Sequence, residues 1–166
     1  PSTMTDQELH TMIGQIGSAL LARKWLLATA ESCTGGGIAS ALTDVAGSSQ
    51  WFAGGLVTYS NAWKQQLLGV QEQTLAQFGA VSSQTVREML LGLSARLQVQ
   101  AGLAVSGIAG PGGATPGKPV GTVFLGLLSA GRIETQRCHF SGDRLQVRRS
   151  CVETALQLLW QSLQNH

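Results

Sequence analysis

Residues 30–37 read Ala-Glu-Ser-Cys-Thr-Gly-Gly-Gly, and this stretch constrains the fold more than any other. The apolar run over residues 25–30 is typical of a short strand. Residues 38–45 carry apolar side chains at spacings of three and four, which predicts a helix. Glycine in a helix interior costs roughly 1 kcal/mol relative to alanine, but it suits a sharp turn or the close approach of a ligand. The stretch therefore predicts a strand-to-helix turn, either purely structural or functional.

The composition favours one globular domain over residues 1–166. Of the 166 residues 43% are hydrophobic and 12% are charged, which is enough apolar material for a sizeable core. A net charge of +2 and 5% aromatic residues argue against a nucleic-acid partner. The three cysteines have no paired spacing, and no apolar run approaches the ~20 residues of a membrane helix. We therefore expect a cytoplasmic protein with reduced thiols and no membrane partner.

Periodicity and turn signals predict six helices and about five strands. Helices are expected over residues 6–24, 37–44, 61–68, 72–78 and 82–97, and from residue 143 onward. Strands are expected over residues 25–30, 51–59, 102–106, 120–129 and 132–140, with a bulge at Gly54 and Gly55. Leu97 is expected on the buried face of the fifth helix. The pattern predicts an α/β fold, a three-layer helix–sheet–helix sandwich with a mixed central sheet.

Ser32 is the first candidate nucleophile, because it stands at the end of a strand and before a helix N-terminus. Backbone N–H groups of the turn could stabilise an oxyanion there, namely those of Cys33, Thr34, Gly35 and Gly36. The histidines are poorly placed to act as its base: His10 lies in the first helix, His139 in a hairpin strand, and His166 is the last residue. A Ser-His-Asp triad is therefore disfavoured.

Lys64 is the candidate base. If Asn61 rather than Ser60 caps its helix, Lys64 occupies the third helical position, where the macrodipole disfavours a positive charge. Burial and the helix terminus would both lower its pKa, so a Ser-Lys dyad is possible, although an ordinary solvated lysine remains the alternative. Cys33 competes with Ser32 as nucleophile and could form a Cys-Lys-Glu set with Glu31.

Two further regions could bind a ligand. The glycine-rich loop over residues 106–119 could cradle one or be a surface loop stiffened by prolines. Arg144, Arg148 and Arg149 open the last helix at the end that a cation should avoid. They could bind an anion such as phosphate, be offset by Asp143, or form a solvated basic face.

Several motifs, in matching order and spacing, resemble the CinA C-terminal domain family over nearly the whole chain. They lie at residues 30–36, 47–49, 57–61 with Lys64, 79–82, 106–111, 118–122 and 142–144. The resemblance implies a stand-alone nicotinamide-nucleotide amidase, which would convert nicotinamide mononucleotide to nicotinic acid mononucleotide and ammonia in pyridine nucleotide salvage. It also implies a homodimer.

Taken with the resemblance, the residues predict Ser32 and Lys64 as catalytic, with no metal and no cofactor. The expected substrate-binding residues are Glu31, Ser48, Tyr59, Asn61, Ser106, Gly107, Gly110 and Arg144. The alternative is a nucleotide-binding or partner-regulating module without turnover, since some family members are associated with competence or DNA-damage functions.

Overall fold

A computed structural model describes residues 4–165, so His166 and both ends of the predicted domain lie outside the described residues. Its helices are α1 (Asp6–Arg23), α2 (Gly37–Thr43), α3 (Asn61–Leu68), α4 (Glu72–Phe78), α5 (Ser83–Leu97) and α6 (Arg144–Gln164), with a 3-10 turn at Ser48–Gln50. Its strands are β1 (Leu27–Glu31), β2 (Phe52–Val57), β3 (Ala101–Gly107), β4 (Thr122–Ser129) and β5 (Arg132–His139).

The five strands form one mixed sheet in the order β2-β1-β3-β4-β5. Strand β1 is central to a parallel group, since it pairs in parallel with both β2 and β3. Strands β4 and β5 complete the sheet with antiparallel pairing. The parallel β1–β2 register slips by one residue at Ala53, next to the predicted bulge at Gly54 and Gly55.

Helices cover both faces of the sheet, which confirms the predicted α/β sandwich. One hydrophobic cluster contains buried residues of α1, α2 and α6, including Ile16, Leu42 and Leu156. The other contains buried residues of α5 and the end of α3, including Leu90 and Leu68. Every residue of β1 is buried because both of its faces are covered, as is usual for parallel strands.

The structure decides one open alternative and corrects one local expectation. Ser60, not Asn61, caps α3 by accepting the N–H of Trp63, so Lys64 is the fourth helical residue and not the third. Leu97 is 43% exposed because α5 ends there, before Gln98 adopts a left-handed conformation. Among residues 4–165, no helix combines the length and apolar character needed to cross a membrane.

Candidate active site

Three parallel strands end at the same edge of the sheet, and the candidate site lies there. Ser32 directly follows β1, Thr58 and Tyr59 follow β2, and Ser106 lies at the end of β3. Ligands of open α/β sheets bind at the carboxyl ends of such strands. A cavity of about 200 Å³ opens at this point. The predicted residues that line it are Ser32, Cys33, Tyr59, Asn61, Lys64, Ser106, Gly107 and Arg144.

The Lys64 amine contacts the Ser32 hydroxyl inside this site. Lys64 Nζ lies 3.1 Å from Ser32 Oγ, although 32 residues separate the two in the chain. Lys64 is 1% exposed and Ser32 is 7% exposed, so the contact is shielded from bulk water. Helix α3 therefore delivers a buried lysine to the hydroxyl that follows β1.

The other contacts of Lys64 Nζ are compatible with both the ammonium and the neutral amine. Nζ donates to the carbonyl oxygens of Thr58 at 2.8 Å and Tyr59 at 3.2 Å. Carbonyl oxygens only accept, so these two bonds occupy the two N–H groups of an uncharged amine. The ammonium form donates its third N–H to Ser32 Oγ, whereas the neutral form offers its lone pair to the Ser32 hydroxyl proton, which is the arrangement that a general base requires.

Burial lowers the pKa of Lys64 from its ordinary value of 10.5 to about 8. The cause is desolvation, which disfavours the ammonium form, and the nearby Cys33 opposes it weakly. The sequence anticipated that burial would lower this pKa. A lysine with a pKa near 8 is partly neutral at physiological pH and can accept a proton.

The turn after Ser32 leaves three backbone N–H groups without a protein acceptor among residues 4–165: those of Cys33, Thr34 and Gly36. The Gly35 N–H, also predicted as an oxyanion donor, instead donates to Ser32 O at 3.0 Å and closes the turn. Gly35 and Gly36 both adopt positive φ, which explains their residue type.

Glu31 was expected to bind substrate, but its side chain bonds the turn and the start of α2 and does not face the cavity. Its carboxylate is 1% exposed and is not part of the cavity wall. It accepts hydrogen bonds from the N–H groups of Ile38 and Ala39 at the start of α2, and from Thr34 Oγ1 at 2.5 Å. Such an acidic group at a helix N-terminus satisfies otherwise unpaired donors and fixes the helix relative to β1.

Two other predicted binding residues also lie outside the cavity wall. Ser48 is 8% exposed and begins the 3-10 turn. Gly110 contributes indirectly, because its carbonyl oxygen accepts a 2.8 Å bond from Arg144 Nη1. That bond orients the Arg144 side chain, whose Nη2 lies 3.4 Å from Tyr59 Oη.

Cys33 lines the cavity, yet its thiol faces the core. The neighbouring Cys151 thiol lowers the pKa of Cys33, and the same interaction raises the pKa of Cys151. Both residues belong to the cluster beneath α6. Lys64 Nζ bonds the Ser32 hydroxyl rather than this thiol. The geometry therefore favours Ser32 over Cys33, and a Cys-Lys-Glu set is not assembled because Glu31 is engaged elsewhere.

The three arginines at the start of α6 have different surroundings. Arg144 lines the cavity. Arg148 donates to the carbonyl oxygens of Cys33 and Thr34. Arg149 pairs with Asp6 and Glu153. Of the alternatives open in the sequence, an anion site fits Arg144 alone, and the other two arginines hold the structure together.

The first part of the glycine-rich loop lines the cavity, and the rest is a surface loop, so each of its two predicted roles applies to one part. Its first part is buried, and Ser106, Gly107 and Ala109 line the cavity, whereas residues 111–117 are exposed. Ser106 Oγ has no hydrogen-bond partner among the described residues, so a ligand could use it. Ala80, Val81 and Ala109 also line the cavity. All three lie in the motifs at residues 79–82 and 106–111, but the sequence predicted no individual role for them, since apolar side chains carry no reactive group.

Other possible sites lack this combination of groups. A larger groove of about 430 Å³ runs between α1, α2 and α6 and includes His10, Ser40 and Asp44, but within residues 4–165 no hydrogen bond joins the His10 ring to the Ser40 hydroxyl. His139 Nε2 lies 3.1 Å from Val120 O, away from Ser32. Within residues 4–165, no group of three or more His, Cys, Asp or Glu side chains is arranged to hold a metal.

These features define a class of protein: an α/β sandwich with a serine hydroxyl and a buried lysine amine at the carboxyl edge of its sheet. The family model of the CinA C-terminal domain matches residues 9–163. The chain therefore belongs to the CinA C-terminal domain family, as the motifs predicted.

Relatives and solved structures agree with this assignment. The nicotinamide-nucleotide amidohydrolase PncC of Escherichia coli strain K12 is 52% identical over 164 residues, which cover 98% of this chain and 99% of that protein. PncC of Pseudomonas putida is 48% identical, over 92% of this chain and 96% of that protein. The crystal structure of a CinA superfamily protein from Klebsiella pneumoniae 700603 has a TM-score of 0.91 and 39% identity, over 95% of this chain and 99% of that one.

Proposed function

We propose that this protein is a nicotinamide-nucleotide amidase that hydrolyses the carboxamide of nicotinamide mononucleotide to nicotinic acid mononucleotide and ammonia. The observation that carries the proposal is the 3.1 Å contact between Lys64 Nζ and Ser32 Oγ at the wall of the cavity. The names of full-length relatives at 52% and 48% identity support the substrate. Amide hydrolysis needs an activated nucleophile, and this pair supplies one.

In the first half of the reaction, neutral Lys64 accepts the hydroxyl proton of Ser32 while Oγ attacks the carboxamide carbon. The carbonyl oxygen becomes an oxyanion, for which the unpaired N–H groups of Cys33 and Thr34 are the nearest candidate donors along the chain. The lysine ammonium then returns its proton to the departing nitrogen. The C–N bond breaks, ammonia leaves, and an ester joins Ser32 to the nicotinoyl group.

The second half repeats the chemistry with water. Lys64, neutral again, accepts a proton from water as its oxygen attacks the ester carbonyl. The same N–H groups stabilise the second oxyanion. Collapse of this intermediate breaks the ester bond, returns the proton to Ser32 Oγ, and releases nicotinic acid mononucleotide.

The remaining groups of the cavity suit the rest of the nucleotide. Arg144 supplies a positive charge at the cavity wall, and a guanidinium binds phosphate through paired hydrogen bonds. Ser106 supplies a hydroxyl for the ribose or the phosphate. Tyr59 is 63% exposed at the cavity entrance, where its ring can cover the pyridine.

The decisive experiment measures ammonia release from nicotinamide mononucleotide by the wild type and by two single variants. We expect Ser32→Ala to lose activity by a factor on the order of 10³ or more, because no nucleophile remains. Cys33→Ala is the matched control, and we expect it to stay within about threefold of the wild type, since the thiol faces Cys151. A dead Cys33→Ala beside an active Ser32→Ala would overturn the serine mechanism.

The same assay separates the enzyme from the alternative function. A nucleotide-binding module would bind nicotinamide mononucleotide tightly and release no ammonia. Hydroxylamine in the reaction would trap the acyl-enzyme as a hydroxamate of the nucleotide, which is a product that simple binding cannot form. Wild-type protein that binds without either product would contradict the amidase.

We also propose a homodimer of single-domain chains, acting in the cytoplasm in pyridine nucleotide salvage. Strand β2 is an edge strand. At its end and on the following helix, Val57, Trp63 and Leu67 expose 40%, 54% and 37% of their surface, an apolar area that a second copy could cover. Sedimentation velocity over a range of protein concentrations tests the dimer.

The three cysteines are free, which suits a reducing compartment.

A further inference from the structure

Arg148 holds two consecutive carbonyl groups of the turn that follows Ser32. From α6 its Nε donates to Cys33 O at 3.1 Å, and its Nη2 donates to Thr34 O at 3.0 Å. The guanidinium also lies against Gly35, where an added Cβ would sit 3.2 Å from Nη2. A planar guanidinium donates from two nitrogens whose relative positions are fixed, whereas a lysine amine donates from a single nitrogen at the end of a flexible chain.

These contacts determine the direction of the unpaired N–H groups. In a trans peptide the C=O and N–H bonds point in opposite directions. Because Arg148 holds Cys33 O, the Thr34 N–H points away from the guanidinium. Arg148 also holds Thr34 O, in the peptide whose N–H, that of Gly35, donates to Ser32 O. The Ser32 carbonyl belongs to the peptide that carries the Cys33 N–H, so this group is fixed through one further bond.

We propose that Arg148 is a positioning residue for acylation, which keeps the Cys33 and Thr34 N–H groups aimed at the developing oxyanion. This inference rests on the proposed amidase function. Arg148 is half-buried and does not line the cavity, so it acts through the turn and does not contact the substrate. Its role thus differs from that of Arg144, which lines the cavity four residues earlier in the chain.

The test compares Arg148→Met with Arg149→Met. We expect Arg148→Met to lower kcat on the order of 10- to 100-fold with KM within about threefold, because misaligned donors weaken only transition-state binding. The pH at half-maximal activity should stay at the wild-type value, since Lys64 is untouched. Arg149→Met removes the same charge from the next residue of α6, and we expect its kcat to match the wild type.

Arg148→Lys separates geometry from charge. This variant keeps the positive charge but loses the planar pair of donors that contacts Cys33 O and Thr34 O. We therefore expect its kcat to remain at least about tenfold below that of the wild type. Full activity in Arg148→Lys would overturn positioning by the two-point contact. A raised KM with unchanged kcat in Arg148→Met would also overturn it, because that pattern marks a residue that binds substrate.

Two measurements that need no substrate, Ser32 labelling and amide hydrogen exchange, test the role of Arg148 even if the protein is not an amidase. A wild type that releases no ammonia contradicts the amidase, but Ser32 labelling by a fluorophosphonate still measures nucleophile and oxyanion geometry. We expect Arg148→Met to be labelled at least about tenfold more slowly than Arg149→Met and to exchange amide hydrogens faster over residues 32–38. Equal labelling and equal exchange in the two variants would overturn the inference, as would a wild type that fails to react at Ser32.

Discussion

Lys64 is the residue whose chemistry depends most on its surroundings. Its amine would be a solvated ammonium on most helices, but here desolvation lowers the pKa to about 8. Two carbonyl oxygens and one hydroxyl surround the nitrogen. The same burial that makes Lys64 a base therefore makes its charged form costly to the folded state.

The activity of the wild type should follow the neutral form of Lys64. We expect kcat/KM for nicotinamide mononucleotide to rise with pH and to reach half its maximum near pH 8, because this ratio reports groups of the free enzyme. Lys64→Arg should lose activity by a factor on the order of 10² or more, since a guanidinium does not deprotonate. A profile that is flat from pH 6 to 9, or an active Lys64→Arg, would remove lysine as the base.

The stability of the protein should depend on pH through the same group. Below about pH 8 Lys64 is protonated in both the folded and the unfolded state, so it adds no slope. Between about pH 8 and 10.5 the unfolded chain keeps a proton that the folded protein has released, so stability rises with pH, by up to roughly 3 kcal/mol. Urea unfolding of wild type and Lys64→Met across this range measures the difference, which should grow in favour of the wild type. A constant difference would contradict the lowered pKa.

At the scale of elements, the site depends on how closely α3 can approach α5. Gly92 on α5 faces the end of α3, and a Cβ added there would lie 2.0 Å from Leu68 O. Only a glycine permits this contact, because the clashing atom belongs to the backbone and cannot rotate away. Since Lys64 lies one turn before Leu68, the helix contact also sets the distance between the amine and Ser32.

We expect Gly92→Ala to destabilise the protein by about 3 kcal/mol and to lower kcat, because α3 must shift away from α5. Gly14→Ala is the matched control on α1, where an added Cβ meets no heavy atom within 4 Å. It should stabilise the protein by about 0.5–1 kcal/mol through helix propensity and leave turnover unchanged. Urea unfolding and ammonia release measure both variants, and a Gly92→Ala as stable as the wild type would refute the close contact.

At the scale of the whole molecule, Arg149 ties the first helix to the last. Arg149 Nε lies 2.5 Å from Glu153 Oε2, and its Nη1 lies 2.9 Å from Asp6 Oδ1 on α1. The Glu153 side chain is 5% exposed and that of Asp6 is 94% exposed, so the two bonds differ in energy. A buried carboxylate that loses its charged partner is costly, whereas an exposed pair contributes little.

Arg149→Met should therefore lower the free energy of unfolding by about 2–3 kcal/mol, because the buried Glu153 carboxylate loses the charged hydrogen bond from Arg149 Nε while it keeps the bond from the Met4 N–H. Asp6→Ala should cost less than about 1 kcal/mol. Thermal and urea unfolding at neutral pH measure both variants. Equal losses in the two would show that the exposed bond contributes as much as the buried one, against this account.

Much of the local structure was predictable because short-range chemistry specifies it. Helices α1, α5 and α6 begin within one residue of their predicted starts, where Thr5, Ser82 and Asp143 cap them with side-chain oxygens. Strand ends were less certain: β1 begins at Leu27 rather than at residue 25, and β4 at Thr122 rather than at residue 120. Strand ends depend on pairing with neighbouring strands, which hydrophobicity along one segment does not encode.

Residue types and their spacing were enough to predict the turn at residues 30–37, the mixed α/β pattern, and Ser32 and Lys64 as a candidate pair. They could not predict the 3.1 Å separation of Lys64 Nζ and Ser32 Oγ, the burial that lowers the pKa of Lys64, or the contacts of the Glu31 carboxylate at the start of α2. They also left open that Arg148 bonds the turn while Arg149 bonds α1. Local conformation depends on residues that are neighbours in the chain, whereas desolvation and hydrogen-bond partners depend on atoms that folding brings together from distant parts of the chain.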